Sequence, residues 1–190
     1  MNSKGFTLIE LLAVIAIVSL LSGTVLFAFR LMNRRAEVKG TLQEVKGVVA
    51  LVMKRLRDGM CAQSVILTIE FAPTGQASGD ITPNSLRAPL CNVSYIAPEN
   101  VQLKGELRIN GMVSVPRENL AKIAFGLKNK GRGELSLEQM RACRFSSSGN
   151  PLSCSEVNQN NWELVIQSES GGITSEEWVL NKDNLFHVHF

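Results

Sequence analysis

Glu10 has the most costly setting in this 190-residue chain. It stands at the head of Leu11–Phe29, nineteen residues without a charge. A lone carboxylate on an apolar helix costs several kcal/mol in lipid unless it is paired or lies near the interface. Two roles suit it: an interfacial residue of a simple anchor, or one half of an ion pair formed when apolar helices bundle. The second chemical set is four cysteines, Cys61, Cys91, Cys143 and Cys154, all beyond the apolar run. None forms C-x-x-C, so zinc and thioredoxin-type chemistry have no support. An even, well-spaced set in an exportable domain points to disulfides in an oxidising compartment, against four buried thiols in a cytosolic protein. Of the three pairings, Cys143–Cys154 is favoured because the polar stretch between them reads as a surface loop that needs closing. Cys61–Cys91 then follows by elimination.

The remaining candidates are weaker. His187 and His189 share a face if they lie on a strand, but no acidic or cysteine ligand is near them in sequence. Oxygen ligands for calcium (Asp80, Asn181, Asp183, Asn184) are sparse. Asp58, Asp80 and Asp183 are the only aspartates, and no Ser/His/Asp set, G-x-S-x-G, P-loop or GxGxxG is present, which argues against an enzyme. The net charge of +3 is weak for a nucleic-acid binder. The basic stretch Leu127-Lys-Asn-Lys-Gly-Arg-Gly133 is read as a solvated turn, with salt-sensitive DNA contact as the lesser alternative. Trp162 and Trp178 are read as core anchors.

These residues need elements to hold them. Leu11–Phe29 spans about 28 Å as a helix, enough to cross a hydrocarbon core. A cleavable secretory signal fits poorly, because the run is long and ends without an A-x-A site. Beyond it, Val38, Leu42, Val45, Val49, Val52 and Leu56 recur at spacings of four and three, an amphipathic stripe. No proline precedes residue 73, so one helix from Phe6 to Asp58, roughly 80 Å long, is expected to stop at Asp58-Gly59.

Lys4-Gly5-Phe6-Thr7-Leu8-Ile9-Glu10, followed by Leu11-Leu12-Ala13-Val14-Ile15-Ala16-Ile17, resembles the class III signal of type IV pilins and type II secretion pseudopilins. The resemblance covers about the first 30 residues, and the helix supports it through residue 58. It implies cleavage by a prepilin peptidase between Gly5 and Phe6, N-methylation of Phe6, and a role for Glu10 in recruiting the next subunit. Cleavage leaves an amine at Phe6, which in an axially shifted neighbour can lie against Glu10 and fix register. The implied domains are a leader (1–5), a membrane and filament-core helix (6–29), the amphipathic half of the helix (30–58) and a globular head (59–190). Pilins often have a proline slightly beyond Ser22-Gly23-Thr24, where this chain has Phe27; the Ser-Gly-Thr run is either where the helix loosens in a filament or a tolerated glycine in a straight helix.

Charge pulls the other way. Lys4 alone precedes the span, whereas Arg30, Arg34 and Arg35 follow it, and the positive-inside rule would keep the head in the cytoplasm. The resemblance and the cysteines favour export, with the head outside the inner membrane.

In the head, residues 63–71, Leu107–Ile109 with Met112–Val115 around Asn110-Gly111, 162–167 and 177–180 read as strands, with a turn at Ser170-Gly171-Gly172. Residues 72–100 read as a long irregular connection, 117–128 as a short helix after Pro116, and 185–190 as a last strand; 140–145 is ambiguous. The expected fold is α+β, a long helix packed on an antiparallel sheet. The expected function is that of a minor pilin or pseudopilin, with other subunits, the peptidase, an inner-membrane assembly platform and membrane lipid as partners. The alternative is a membrane-anchored adhesin or DNA-uptake receptor that never polymerises.

Overall fold

The computed structural model describes residues 8–71, 84–145, 153–158 and 160–187. Gly5, Phe6, Asp80 and His189 lie outside them. Helix α1 (Leu8–Arg57) runs for 50 residues, about 75 Å at 1.5 Å per residue. The six stripe residues are all buried, joined by Thr41, Ala50 and Met53. Nothing interrupts the helix at Ser22-Gly23-Thr24. There Ser22 Oγ donates to Val18 O (2.7 Å) and Thr24 Oγ1 to Leu21 O (2.8 Å), so the hydroxyls are satisfied on their own helix.

The stop is a Schellman arrangement. Gly59 N donates to Leu56 O (3.3 Å) and Met60 N to Arg55 O (2.8 Å). Gly59 sits at φ +71°, where a side chain is strained.

Among the described residues eleven strands follow: β1 (Ser64–Glu70), β2 (Ser85–Ala88), β3 (Val93–Ile96), β4 (Gln102–Ile109), β5 (Met112–Val115), β6 (Leu120–Asn129), β7 (Leu135–Arg144), β8 (Ser153–Glu156), β9 (Trp162–Ser170), β10 (Ile173–Thr174) and β11 (Trp178–Asn181). They form a six-stranded sheet, β3-β2-β1-β6-β7-β8, and a five-stranded sheet, β10-β9-β4-β5 with β11 also on β9. Every pairing is antiparallel. The helix packs on strands of both sheets, β2, β3 and β6 of one and β9 and β10 of the other. Phe125 of β6 and Trp162 of β9, ring centroids 5.4 Å apart, join the sheets in the shared core. The layout is α+β and pilin-like.

Three sequence readings are corrected. Residues 117–128 are not helical. Pro116 opens a turn, its carbonyl accepting from Asn119 N (3.0 Å) and Leu120 N (3.2 Å). Ile123, Phe125 and Leu127 then alternate into the core from a central strand, the period of two that a proline start signal masked. The connection after β1 is not irregular throughout: β2 and β3 pair around a 3₁₀ turn at Pro89–Cys91, and Pro89 and Pro98 fall outside the strands. Leu185–His187 is a 3₁₀ turn with Leu185 buried, not a strand.

Two details hold the frame. Asn84, buried and at φ +65°, donates to Val101 O (3.0 Å) and accepts from Leu103 N (2.8 Å). The Phe71 ring lies over Gly105 of β4, where a Cβ would fall 2.4 Å from Phe71 Cζ.

Candidate functional site

The helix divides at residue 30. From Leu8 to Arg30 every residue is exposed, and the most apolar 18-residue window has a mean hydropathy of 2.6 with no part of it buried. Leu8 is 79% exposed, Leu20 72% and Phe27 72%. So large a contiguous apolar surface marks a membrane or protein contact. Its length and composition suffice to cross a bilayer. Glu10 sits in the first described turn of the helix.

The stalk is fixed to the head by more than apolar burial. Ser168 Oγ of β9, fully buried, donates to Val38 O (2.6 Å). Tyr95 of β3 donates its hydroxyl to Glu44 (2.8 Å). Burial and that carboxylate push the phenol well above its ordinary pKa, so it stays a donor. At the far end, Asn129 Nδ2 donates to Leu56 O (2.7 Å), a carbonyl of the last turn that also accepts from Gly59 N. Arg55 donates to Cys91 O (2.9 Å) and Arg57 to Phe186 O (2.8 Å). These ties were invisible in the sequence, because each joins residues 36 to 130 positions apart.

The cysteines meet in two pairs. Cys61 and Cys91 have sulfurs 2.11 Å apart, and Cys143 and Cys154 2.05 Å apart, both at disulfide distance. The first pair joins the end of the helix to the 3₁₀ turn after β2. The second lies directly across β7 and β8 and fastens the outermost strand of its sheet.

The other candidates take up structural positions. Lys128 pairs with Glu138 (2.9 Å). The β6–β7 turn is set by Asn129 Oδ1 accepting from Gly131 N (2.8 Å), and its Gly133 packs against Arg57. Trp162 is buried, and Trp178 receives Lys46 Nζ 5.9 Å above its ring. The Asn181 and Asn184 side-chain oxygens accept from backbone N–H groups within their own turn. Among the described residues no three His, Cys, Asp or Glu side chains group as a metal site. On the sheet surface, burial pushes Glu70 upward. The Ser85 hydroxyl (2.7 Å) and Lys122 (3.2 Å) outweigh it and hold the carboxyl below its ordinary value.

An exposed apolar helix continuous with an antiparallel head is the layout of pilin-like proteins. Residues 1–26 match the family model described as the prokaryotic N-terminal methylation motif, the class III signal, consistent with a type IV pilin or pseudopilin. The motif and the apolar helix together fit membrane anchoring. No curated protein and no solved structure shows significant similarity to the chain.

Proposed function

We propose that the chain is the precursor of a minor pilin or pseudopilin, a structural subunit of a type IV pilus or type II secretion-type filament. The observation that carries this reading is the fully exposed apolar stalk joined to the methylation motif. Prepilin peptidase cuts between Gly5 and Phe6, Phe6 is N-methylated, and residues 6–29 anchor the subunit in the inner membrane with its head outside the cytoplasm. The assembly platform then moves the stalk from lipid into a bundle of its own kind. There Glu10 meets the Phe6 amine of a neighbour, and the pair sets the axial offset. Pairing in a low-dielectric bundle offsets the cost that either charge bears alone. In the periplasm Cys61–Cys91 and Cys143–Cys154 are oxidised.

Mass spectrometry of the native protein tests this. An N-methylated Phe6 at the mature terminus supports it; an intact Met1 or cleavage near residue 30 refutes it. Immunogold labelling of sheared filaments is expected to be sparse or at tips. Label confined to membranes while the machinery runs indicates an anchored binding domain that does not polymerise.

A further inference from the structure

Residues 30–39 hold four cations, Arg30, Arg34, Arg35 and Lys39, against Glu37 alone, so this one stretch carries a net charge of +3, as much as the whole chain. All four cations are exposed, and among the described residues no ion pair engages them. The apolar run ends at Phe29. Arg30 therefore lies about 1.5 Å, and Arg34 about 8 Å, beyond the end of the hydrocarbon-length segment. That interval is the depth of a headgroup layer. The two arginines are four residues apart, so they share one face of the helix. That face meets the lower rim of the head: a Cβ on Gly171, in the turn between β9 and β10, would lie 3.2 Å from Arg34 Nη1. Gly171 and Gly172 sit at φ +55° and +81°, and neither has a side chain, so the Arg34 guanidinium can lie close against the backbone of the turn.

We infer that Arg30 and Arg34, under the Gly171-Gly172 turn, form a site for the phosphate of an anionic phospholipid in the leaflet beneath the head. This rests on the membrane-anchored reading above. Guanidinium groups suit the site because they bind phosphate oxygens in bidentate fashion. The site accounts for the cations that the positive-inside rule leaves unexplained: on this side they seat the head on the membrane before the stalk is withdrawn. Arg35 and Lys39 lie further round the helix and add attraction without meeting the turn.

The test uses the full chain. It is sedimented with vesicles of phosphatidylcholine alone or with added phosphatidylglycerol, and lipid adducts are counted by native mass spectrometry from detergent. At about 1 kcal/mol per arginine near an anionic surface, the pair is worth about 2 kcal/mol, so the chain is expected to be retained at roughly thirtyfold lower concentration of phosphatidylglycerol than of phosphatidylcholine. Arg30→Gln with Arg34→Gln removes most of that preference; Arg35→Gln with Lys39→Gln removes less. Equal retention of the two lipids by the unmodified chain overturns the site, as does an undiminished preference in the Arg30/Arg34 variant. Displacement of phosphatidylglycerol by millimolar inorganic phosphate overturns it in favour of a free-anion site. Loss of filament incorporation with lipid preference intact assigns the arginines to a neighbouring subunit instead. Failure to sediment with either vesicle overturns the anchoring reading and the site with it.

Discussion

Gly105→Ala is expected to damage the core although it adds one methyl group. The new Cβ would lie 2.4 Å from Phe71 Cζ and 2.7 Å from Cε1 and Cε2, against an ordinary contact of roughly 3.5 Å or more. The ring must therefore retreat by about 1 Å. It cannot do so freely, because Phe71 is 2% exposed within the main cluster, and Phe71 N is held to Ala121 O (2.8 Å). Gly105 cannot retreat either, since β4 is paired with β9 through the facing residue Ile166. Overpacking of this kind costs about 1–3 kcal/mol, a loss of roughly 4–12 °C in melting temperature for a head of this size. Urea and thermal unfolding of the full chain in detergent, followed by fluorescence of the buried Trp162, measures it. Phe71→Leu alone leaves a cavity and is also destabilising. Joined to Gly105→Ala it relieves the clash, so the double variant must be more stable than the sum of the two losses predicts. Strict additivity, or a Gly105→Ala variant as stable as the parent, refutes the reasoning.

Glu10→Ala is expected to leave cleavage and membrane insertion intact and to abolish or sharply reduce incorporation into filaments, read by immunoblotting of sheared fractions; normal incorporation refutes the pairing. Peptide maps without reductant are expected to recover Cys61 linked to Cys91 and Cys143 linked to Cys154. On the chain-entropy account the loops of 30 and 11 residues correspond to about 3.6 and about 2.8 kcal/mol, so Cys61→Ser with Cys91→Ser lowers the urea midpoint more than the other pair. Glu70, held below its ordinary pKa of 4.5, contributes stability that is fully present above the ordinary carboxylate value and is lost as the pH falls through its depressed one. Glu70→Gln must therefore destabilise at pH 7, and its difference from the parent must close in acid; a difference that is constant with pH removes the assignment.

The helix was readable because its signal is local and repeated. The stripe from Val38 to Leu56 states the packing face, and the charge-free run states where packing ends. The head was harder for identifiable reasons. Ile123, Phe125 and Leu127 alternate, but Pro116 as a start signal and the alanines Ala121 and Ala124 also suit a helix. The choice is made by β1 and β7 on either side, which no short window contains. Strands β2 and β3 have four residues each, too short to stand out among prolines. Asn84, Ser168 and Asn129 act through partners distant in sequence, so their types alone announce nothing. Glu10 was conspicuous because a charge beside nineteen uncharged, mostly apolar residues needs a reason. The collar of arginines was visible as a composition, but its place against the Gly171-Gly172 turn required the fold.

The unbroken course of α1 through both halves of the molecule has a mechanical consequence. A tug on the stalk enters the head along a single rod, with no joint to absorb it. The load is shared by nine buried side chains arrayed along that rod and by the Ser168, Tyr95 and Asn129 ties. Traction along the axis must slide all of these contacts together, a loading in shear, whereas a sideways pull would peel them one at a time. The attachment therefore resists a pull along the helix axis better than one across it.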